Sequence, residues 1–539
     1  MAEFQSRLIT DSDSFAANRQ DMLALIDRVR GLEDRAKDLS EKRRERFQER
    51  GQLSPRERLA ALLDPGMPYL ELYNMASYLV DDANPETSVP GASILTGIGF
   101  VSGVRCLVFV DDSGINAGAS TSKTVDKALG CIDIAIRQKL PFLHLVESAG
   151  ANLMAYTVEL WAHGGGLFAG LARLSAAGIP VITVLHGPST AGGAYQPGLS
   201  DYVIGVKNNG MAMLGGAALV KAATGEVSDD ASLGSVEMHA TTTGLIEYLA
   251  EDDAHGIEIA RDLVARLDWN RGLRIAKRQA AKPLFDADSI LGLVPVDYHK
   301  PYDMRELAAR LVDGSDFIEF KPEYGAATIC LQSKLMDHVI GIIGNNGPLD
   351  PHGAAKATHF LQACDQAGHP VIFLNNTTGY MVGLEYEQGG MIKHGSKMIQ
   401  AVTNLRVPKI SIYVGASFGA GNYGMCGYAF RPDFLFTWPN AVTGVMGGEQ
   451  AAGTMQQVME IAAKRRGQPI DSAKMQAQSL AIKQHFDRQS DAFHTSGRVL
   501  DHGMIDPRDT RNLLGFCLDT CAEARARSLR PNSFGVARM

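Results

Sequence analysis

Two glycine-rich segments of the 539-residue chain could do chemistry without any reactive side chain: Ser189-Thr-Ala-Gly-Gly-Ala-Tyr195 and Ser417-Phe-Gly-Ala-Gly-Asn-Tyr423. Each follows a strand-like apolar run and leads into a predicted helix. Small residues leave backbone N–H groups uncovered, and a helix N-terminus adds partial positive charge. Such a nest suits an oxygen on which negative charge develops, as in an oxyanion hole. A glycine pair also serves any tight turn or close helix–strand approach. A phosphate-binding loop fits poorly, because neither segment has the GxGxxG spacing or a Walker lysine. Two equivalent turns in one chain favour a functional site used twice.

Little else competes for the centre. The sequence shows no Ser-His-Asp order, no HExxH and no convincing acid pair. His144 lies within an apolar run and reads as a core histidine, while His352 and His394 fall in predicted loops and receive no role. The seven cysteines are scattered, without a CxxC, so buried free thiols in a reducing compartment are expected and no metal site is. Two oxyanion holes would suit two carbonyl-bearing substrates, one becoming an enolate and the other leaving as an oxygen-centred anion.

The turns belong to a larger duplication. LAALLDPGMPYLEL from Leu59 parallels LAARLVDGSDFIEF from Leu307, placing Glu71 opposite Glu319. PFLHLVESAG from Pro141 parallels PVIFLNNTTG from Pro370. PVITVLHGPSTAGGAY from Pro180 parallels PKISIYVGASFGAGNY from Pro408, so Tyr195 pairs with Tyr423. Three blocks in one order indicate two homologous domains, with a boundary near Arg274 to Tyr302, where Pro283, Pro295 and Pro301 cluster. The division expected is a helical extension over 1–51, a first domain over 52–285 and a second over 286–539.

Apolar runs at Cys106–Val110, Phe142–Val146 and Val181–Leu185 read as buried strands. Helical periodicity follows at Ser122–Lys139 and Ala355–Ala367, the alternation of an α/β fold. Gln20 to Arg50 predicts one long charged helix. A second opens at Ser54, with Pro55 first and Glu57 completing a capping box, and stops at Asp64-Pro65-Gly66. The basic run Lys42 to Arg58 reads as a solvated helix face. A net charge of −8 offers nucleic acid no attraction, and no apolar stretch suits a signal or membrane span. A cytoplasmic protein is expected, or a matrix protein in a eukaryote.

At these motifs the chain resembles the beta subunits of the propionyl-, methylcrotonyl- and geranyl-CoA carboxylases. The resemblance runs from about Gly51 to the C-terminus and includes GQLSPRERLAALLDPG, LFDADSILGLVPVDYHKPYDMRE and GIIGNNG. SFGAGNYGMCG (Ser417 to Gly427), VMGGEQAA (Val445 to Ala452) and LVKAATGE (Leu219 to Glu226) look like the methylcrotonyl/geranyl branch. It implies two β-β-α superhelix domains of the ClpP/crotonase superfamily. It implies that amides around Gly192 and Gly193 hold the thioester oxygen of an acyl-CoA, and those around Ala420 and Gly421 the ureido oxygen of biotin. Ala194 and Tyr195 would flank the first site; Phe418, Gly419, Asn422 and Tyr423 would flank the second. No side-chain base is then required, since the ureido nitrogen can take the substrate proton after carbon dioxide is released. The family places its cleft between the first domain of one subunit and the second domain of its dimer partner, within a beta hexamer.

No AMKM-like biotin attachment site occurs, since Lys397-Met398 and Lys474-Met475 lack its flanks, and no ATP-binding loop is evident. Biotin and ATP are therefore expected on a separate alpha subunit with biotin carboxylase and carrier functions. Methylcrotonyl-type subunits carry a string like FLAGPP before LVKAATGE; here it is Met213-Leu214-Gly215-Gly216-Ala-Ala. Gly164-Gly165-Gly-Leu-Phe168-Ala169-Gly170 is also short of bulk where that branch tends to carry paired aromatics. Room for a longer tail favours geranyl-CoA over methylcrotonyl-CoA; drift in loops that need only small residues is the bland alternative. The rival classes are a hydratase, a biotin-dependent decarboxylase subunit and a non-catalytic scaffold. A hydratase would want paired acids near the turn, and Tyr195 to Ser200 has none.

Overall fold

The computed structural model describes residues 4–273, 279–466 and 472–536, so the first residues of the expected boundary, 274–278, lie outside the described residues. The chain forms two compact units, each discontinuous in sequence. The first comprises Arg30–Ile275, Gly497–Val499 and Thr520–Met539; the second comprises Met1–Val29, Ala276–Ser496 and Leu500–Asp519.

The first unit holds an eight-stranded sheet: β1 (Leu70–Glu71), β2 (Ile94–Val101), β3 (Val104–Asp111), β4 (Phe142–Ser148), β5 (Val181–Thr190), β6 (Tyr202–Val206), β7 (Met211–Met213) and β8 (Tyr248–Ala250). The order is β1-β2-β3-β4-β5-β6-β8, with β7 added to the end of β5. The second unit repeats it with β9 (Phe317–Glu319), β10 (Thr328–Leu335), β11 (His338–Asn345), β12 (Val371–Thr377), β13 (Lys409–Phe418), β14 (Phe434–Thr437) and β15 (Val442–Gly444). In each, the first three strands are antiparallel and the rest parallel. Glu71 closes β1 opposite Gly97, and Glu319 closes β9 opposite Leu331.

Strands covered on both faces read as unbroken apolar runs. Every residue of β3 and β4 is buried. In the first unit Val108, Leu145, Val184 and Ile204 pack with Ile257 and Val264; in the second Ile343, Phe373, Phe360 and Met398 share one core. The crossover helices Ser122–Gln138 and Pro351–Ala367 occupy equivalent places, and all seven cysteines are buried free thiols.

The last residues of the chain belong to the first unit. Arg105 Nη2 pairs with Glu523 at 3.1 Å, Lys139 Nζ donates to the Arg527 carbonyl, and the Asn532 N–H donates to the Ala176 carbonyl at 2.8 Å.

Several sequence expectations are corrected. The long charged helix runs Asp13–Glu41 and is followed by a separate helix, Arg44–Glu49. It starts early because the Ser12 hydroxyl accepts from the Phe15 N–H, an N-cap. At its end the Arg43 N–H donates to the Ser40 carbonyl at 3.0 Å, a tightened last turn. His352 and His394 lie in helices, Pro351–Ala367 and Met391–Asn404. Asp350 caps the former through the Gly353 N–H with Pro351 at its first position, a signal that precedes the histidine. The glycine string 164–170 is interior to helix Val158–Ala176 and is no loop. The basic run 42–58 is a solvated face only in part, because Arg58 is fully buried. The capping box at Ser54 and Glu57 is present, on a helix spanning Pro55–Leu62.

Candidate active site

Both glycine turns arise from one backbone device. The pairing of β4 with β5 shifts register between Val146 and Ser148, and that of β12 with β13 between Asn375 and Thr377. Past the shift Ser148 lies opposite Ser189 and Thr377 opposite Ser417. The strand then ends at a residue in the left-handed region, Ala191 (φ 53°) or Gly419 (φ 56°), which swings the chain into a tight helical turn. The first N–H groups of such a turn have no acceptor within it. The helices that follow are short, Tyr195–Gly198 and Gly419–Gly424, so most of the anion affinity must come from these local N–H groups rather than from a long helix dipole.

The glycines in these turns differ in how tightly their surroundings hold them, and only at Gly421 would a Cβ meet backbone below 3.0 Å. A Cβ on Gly193 would lie 2.9 Å from Ser189 Oγ, and one on Gly421 would lie 2.7 Å from Gly379 Cα. Gly192 is looser: a Cβ there would sit 3.4 Å from Phe168 Cζ. Its counterpart in the second turn is Ala420, which has a Cβ.

In the first unit the structure brings Gly192, Gly193, Ala194, Tyr195 and Phe168 together, the Phe168 and Tyr195 rings meeting edge-on at 5.8 Å. Helix Val158–Ala176 turns two different faces to its surroundings. Gly166 and Gly170 face helix Ser122–Gln138, where Cβ atoms would meet Leu129 and Ile132, so Gly170 serves helix packing. Gly165 and Ala169 are exposed, and a Cβ on Gly165 would meet nothing within 4 Å; one on Gly164 would only reach Val125 at 3.9 Å. Met213 is buried at the end of β7, paired with Thr190 beside the turn, while Leu214 is exposed and Gly215 and Gly216 lead into helix Ala217–Thr224. A cavity behind the turn, lined by Phe109, His144, Ser148, Leu167 and Gln196, holds about 30 Å³, the space of one water. That cavity is too small for an organic group, whereas the helix face at Gly165 is open. His144 is buried, with Nε2 3.4 Å from Asp111 Oδ1.

In the second unit Gly419, Asn422 and Tyr423 line a pocket of about 520 Å³ with Tyr413, Thr443, Val445, His485 and Gln489. Phe418 is buried against Tyr298 at 5.5 Å and is not part of that lining. Asn422 supports the turn from beneath: its Nδ2 donates to Ser417 Oγ at 2.9 Å and to Tyr413 Oη at 3.0 Å. Ser417 Oγ donates to Asn375 Oδ1 at 3.0 Å, and Thr443 Oγ1 donates to the Ser417 carbonyl at 2.7 Å. The first unit lacks this polar support. Val146, Leu185, Ala194 and Ala212 stand where Asn375, Tyr413, Asn422 and Thr443 stand, and the buried Ser189 hydroxyl has no partner.

The first turn is instead backed by buried charge, which sequence reasoning missed because Arg58 read as a surface residue. Arg58 Nη1 meets Glu147 Oε2 at 2.7 Å and its Nε meets Asp253 Oδ2 at 2.9 Å. His186 Nδ1 lies 2.8 Å from Asp253 Oδ1. Burial, and then Arg58, hold the His186 imidazole below its ordinary value, so it is neutral. Asp253 is held low: burial opposes ionisation, but His186, Arg58 and the Leu53 N–H outweigh it. The cluster pins β4 at Glu147, the residue within the register shift. Tyr413 was also missed; its signal was a phenol in a buried strand where the repeat has leucine.

Among the described residues no group of three or more His, Cys, Asp or Glu could hold a metal, and no helix is long and apolar enough to cross a membrane.

A family model described as the carboxyl transferase domain matches residues 46–535. The chain is 47% identical over 496 residues to a protein of Mycobacterium tuberculosis described as a probable biotin-dependent acyl-coenzyme A carboxylase beta2 subunit, covering 92% of each. It is 40% identical to the biotin-dependent 3-methylcrotonyl-coenzyme A carboxylase beta1 subunit of the same organism, covering 93% of this chain and 94% of the relative. The crystal structure of the P. aeruginosa geranyl-CoA carboxylase beta subunit superimposes with a TM-score of 0.93 at 47% identity, covering 100% of both chains. Both units thus have the crotonase-like fold. The chain belongs to the carboxyl transferase family, among the beta subunits of biotin-dependent acyl-CoA carboxylases.

Proposed function

We propose that this chain carries a carboxyl group from carboxybiotin, borne by a separate alpha subunit, to the γ carbon of geranyl-CoA. The γ proton of a β-methylated unsaturated thioester is acidic because enolate charge spreads through the double bond. The N–H groups of Gly192 and Gly193 bind the thioester oxygen and stabilise the charge that develops there. Those of Ala420 and Gly421 do the same for the ureido oxygen. Bound carboxybiotin supplies the carbon dioxide and, once that has left, a nitrogen base for the proton. The 520 Å³ pocket beside the second turn is within the range of about 300–1,000 Å³ usual for small-ligand sites. What remains for the chain is to position both reactants and exclude water.

The observation that carries the substrate choice is the bare helix face at Gly164 and Gly165, beside the Phe168–Tyr195 pair. The 47% identity to the geranyl-CoA carboxylase subunit supports it; the 40% identity to a methylcrotonyl enzyme keeps that acyl-CoA as the second reading. Large apolar side chains left exposed, Met154, Tyr156 and Trp161 in the first unit and Val382, Leu384 and Ile392 in the second, support burial in a homo-oligomer such as a beta hexamer. ATP is assigned to the alpha subunit, and the buried free thiols suit a reducing compartment, the cytoplasm or a mitochondrial matrix.

The deciding experiment reconstitutes the complex with its alpha subunit and offers geranyl-CoA and methylcrotonyl-CoA with biotin and ATP. ATP-dependent carboxylation of geranyl-CoA is expected. Efficient turnover of methylcrotonyl-CoA alone refutes the substrate choice, and no carboxylation of either refutes the reading as a carboxylase.

A further inference from the structure

Tyr413 is unusual among the buried groups of the second unit. Its ring is packed in β13 and only 3% of the residue is exposed, yet it lines the 520 Å³ pocket with Gly419 and Asn422. A phenol has two acceptor lone pairs and one donor hydrogen. Both acceptor positions are used: Asn422 Nδ2 donates to Tyr413 Oη at 3.0 Å and the Tyr428 N–H donates to it at 3.1 Å. The O–H hydrogen is then left to point away from those donors, and the open space beside it is the pocket. Burial pushes the phenol up to about 12, with Asp501 and the Cys426 thiol adding to the rise, so it keeps that hydrogen throughout the physiological range; Tyr423, Tyr428 and His485 are the other titratable groups lining the pocket. The equivalent residue of the first unit is Leu185, which belongs to an apolar cluster. The donor therefore belongs to one half of the duplication only, the half whose turn faces this pocket.

We propose that the Tyr413 hydroxyl donates a hydrogen bond to the ureido oxygen of the cyclic urea that occupies this pocket, carboxylated or not, a contact additional to the turn amides. The inference rests on the reading of the second turn as the biotin side. It also gives Asn422 a defined role, because by filling one Tyr413 lone pair it directs the phenol hydrogen toward the ligand. A donor to a neutral urea oxygen is worth on the order of tenfold in affinity, and more as that oxygen becomes anionic.

The test measures binding of biocytin to the full chain by calorimetry, with acyl-CoA binding as the internal control. Tyr413→Phe is expected to weaken biocytin about tenfold and leave acyl-CoA affinity within about twofold. Phe also deprives Asn422 and Tyr428 of an acceptor, so a second chain carries a fluorinated, more acidic tyrosine at 413. Its affinity for biocytin should fall as pH rises through the titration of the fluorophenol, while the parent stays flat over the same window. A purely supporting role as acceptor would give a flat profile for both and overturn the proposal, as would unchanged binding by Tyr413→Phe. Failure of the parent to bind biocytin at all overturns the biotin-side reading together with this contact.

Discussion

Gly421→Ala is the sharpest test of the paired-turn mechanism. The added Cβ would lie 2.7 Å from Gly379 Cα, 3.0 Å from its carbonyl carbon and 3.3 Å from Thr377 Cγ2. Two of these are backbone atoms of Gly379, just past the end of β12, and cannot rotate away. Restoring ordinary contact requires the turn to retreat by about 0.7 Å. Misplacing a reacting group by about 1 Å can cost on the order of 10²-fold, and loss of an oxyanion donor costs about 10²–10³-fold. The expected result is a fall in kcat for carboxyl transfer of about 100-fold, or roughly 2.7 kcal/mol. KM for the acyl-CoA should barely move, and overpacking should cost about 1–3 kcal/mol of stability. Gly192→Ala is the matched control: its Cβ meets only the edge of Phe168, and the second turn already has alanine there, so less than about tenfold loss is expected. Steady-state kinetics on the reconstituted complex, with melting curves, decide it. A Gly421→Ala enzyme within threefold of the parent kcat would refute the reasoning.

Gly165→Phe should place a ring on the open helix face and cut kcat/KM for geranyl-CoA at least about tenfold, because the longer tail loses burial worth about 0.8 kcal/mol per methylene. Methylcrotonyl-CoA turnover in the same assay should hold or rise. Arg58→Met leaves Asp253 buried without its cation and Glu147 with only the longer Arg46 contact at 3.8 Å, and should destabilise the chain by about 3 kcal/mol in denaturant titration. Burial raises the Asp501 carboxyl from 3.8 to about 6, so between those values the folded chain keeps a proton the unfolded chain has lost. Stability from this group is therefore greatest below pH 4 and falls as pH climbs through about 6. Asp501→Asn should remove that slope, on the order of 3 kcal/mol, from stability measured against pH.

The fold was legible because duplication and strand burial leave strong local signals. The three repeated blocks land on β1, β4 and β5 and on β9, β12 and β13, and both glycine turns sit at strand ends as their spacing required. What escaped depends on contacts distant in sequence. Arg58 looks like its exposed neighbours until Glu147 and Asp253 are beside it. The pocket wall at Thr443, His485 and Gln489 is assembled from segments with no common motif. Gly164 to Gly170 read as a loop because successive glycines disfavour a helix by about 1 kcal/mol each; the packing of Gly166 and Gly170 against Leu129 and Ile132 outweighs that preference.

The first unit is completed by a segment that follows the whole second sheet in sequence, through Glu523, Arg527 and Asn532. Its sheet can assemble early, but Arg105 and Lys139 must wait for that segment before they find their partners. During synthesis this half is an unfinished domain for as long as the other is being made. Loss of the segment from Thr520 onward would consequently damage the first unit, although that segment lies downstream of both glycine turns.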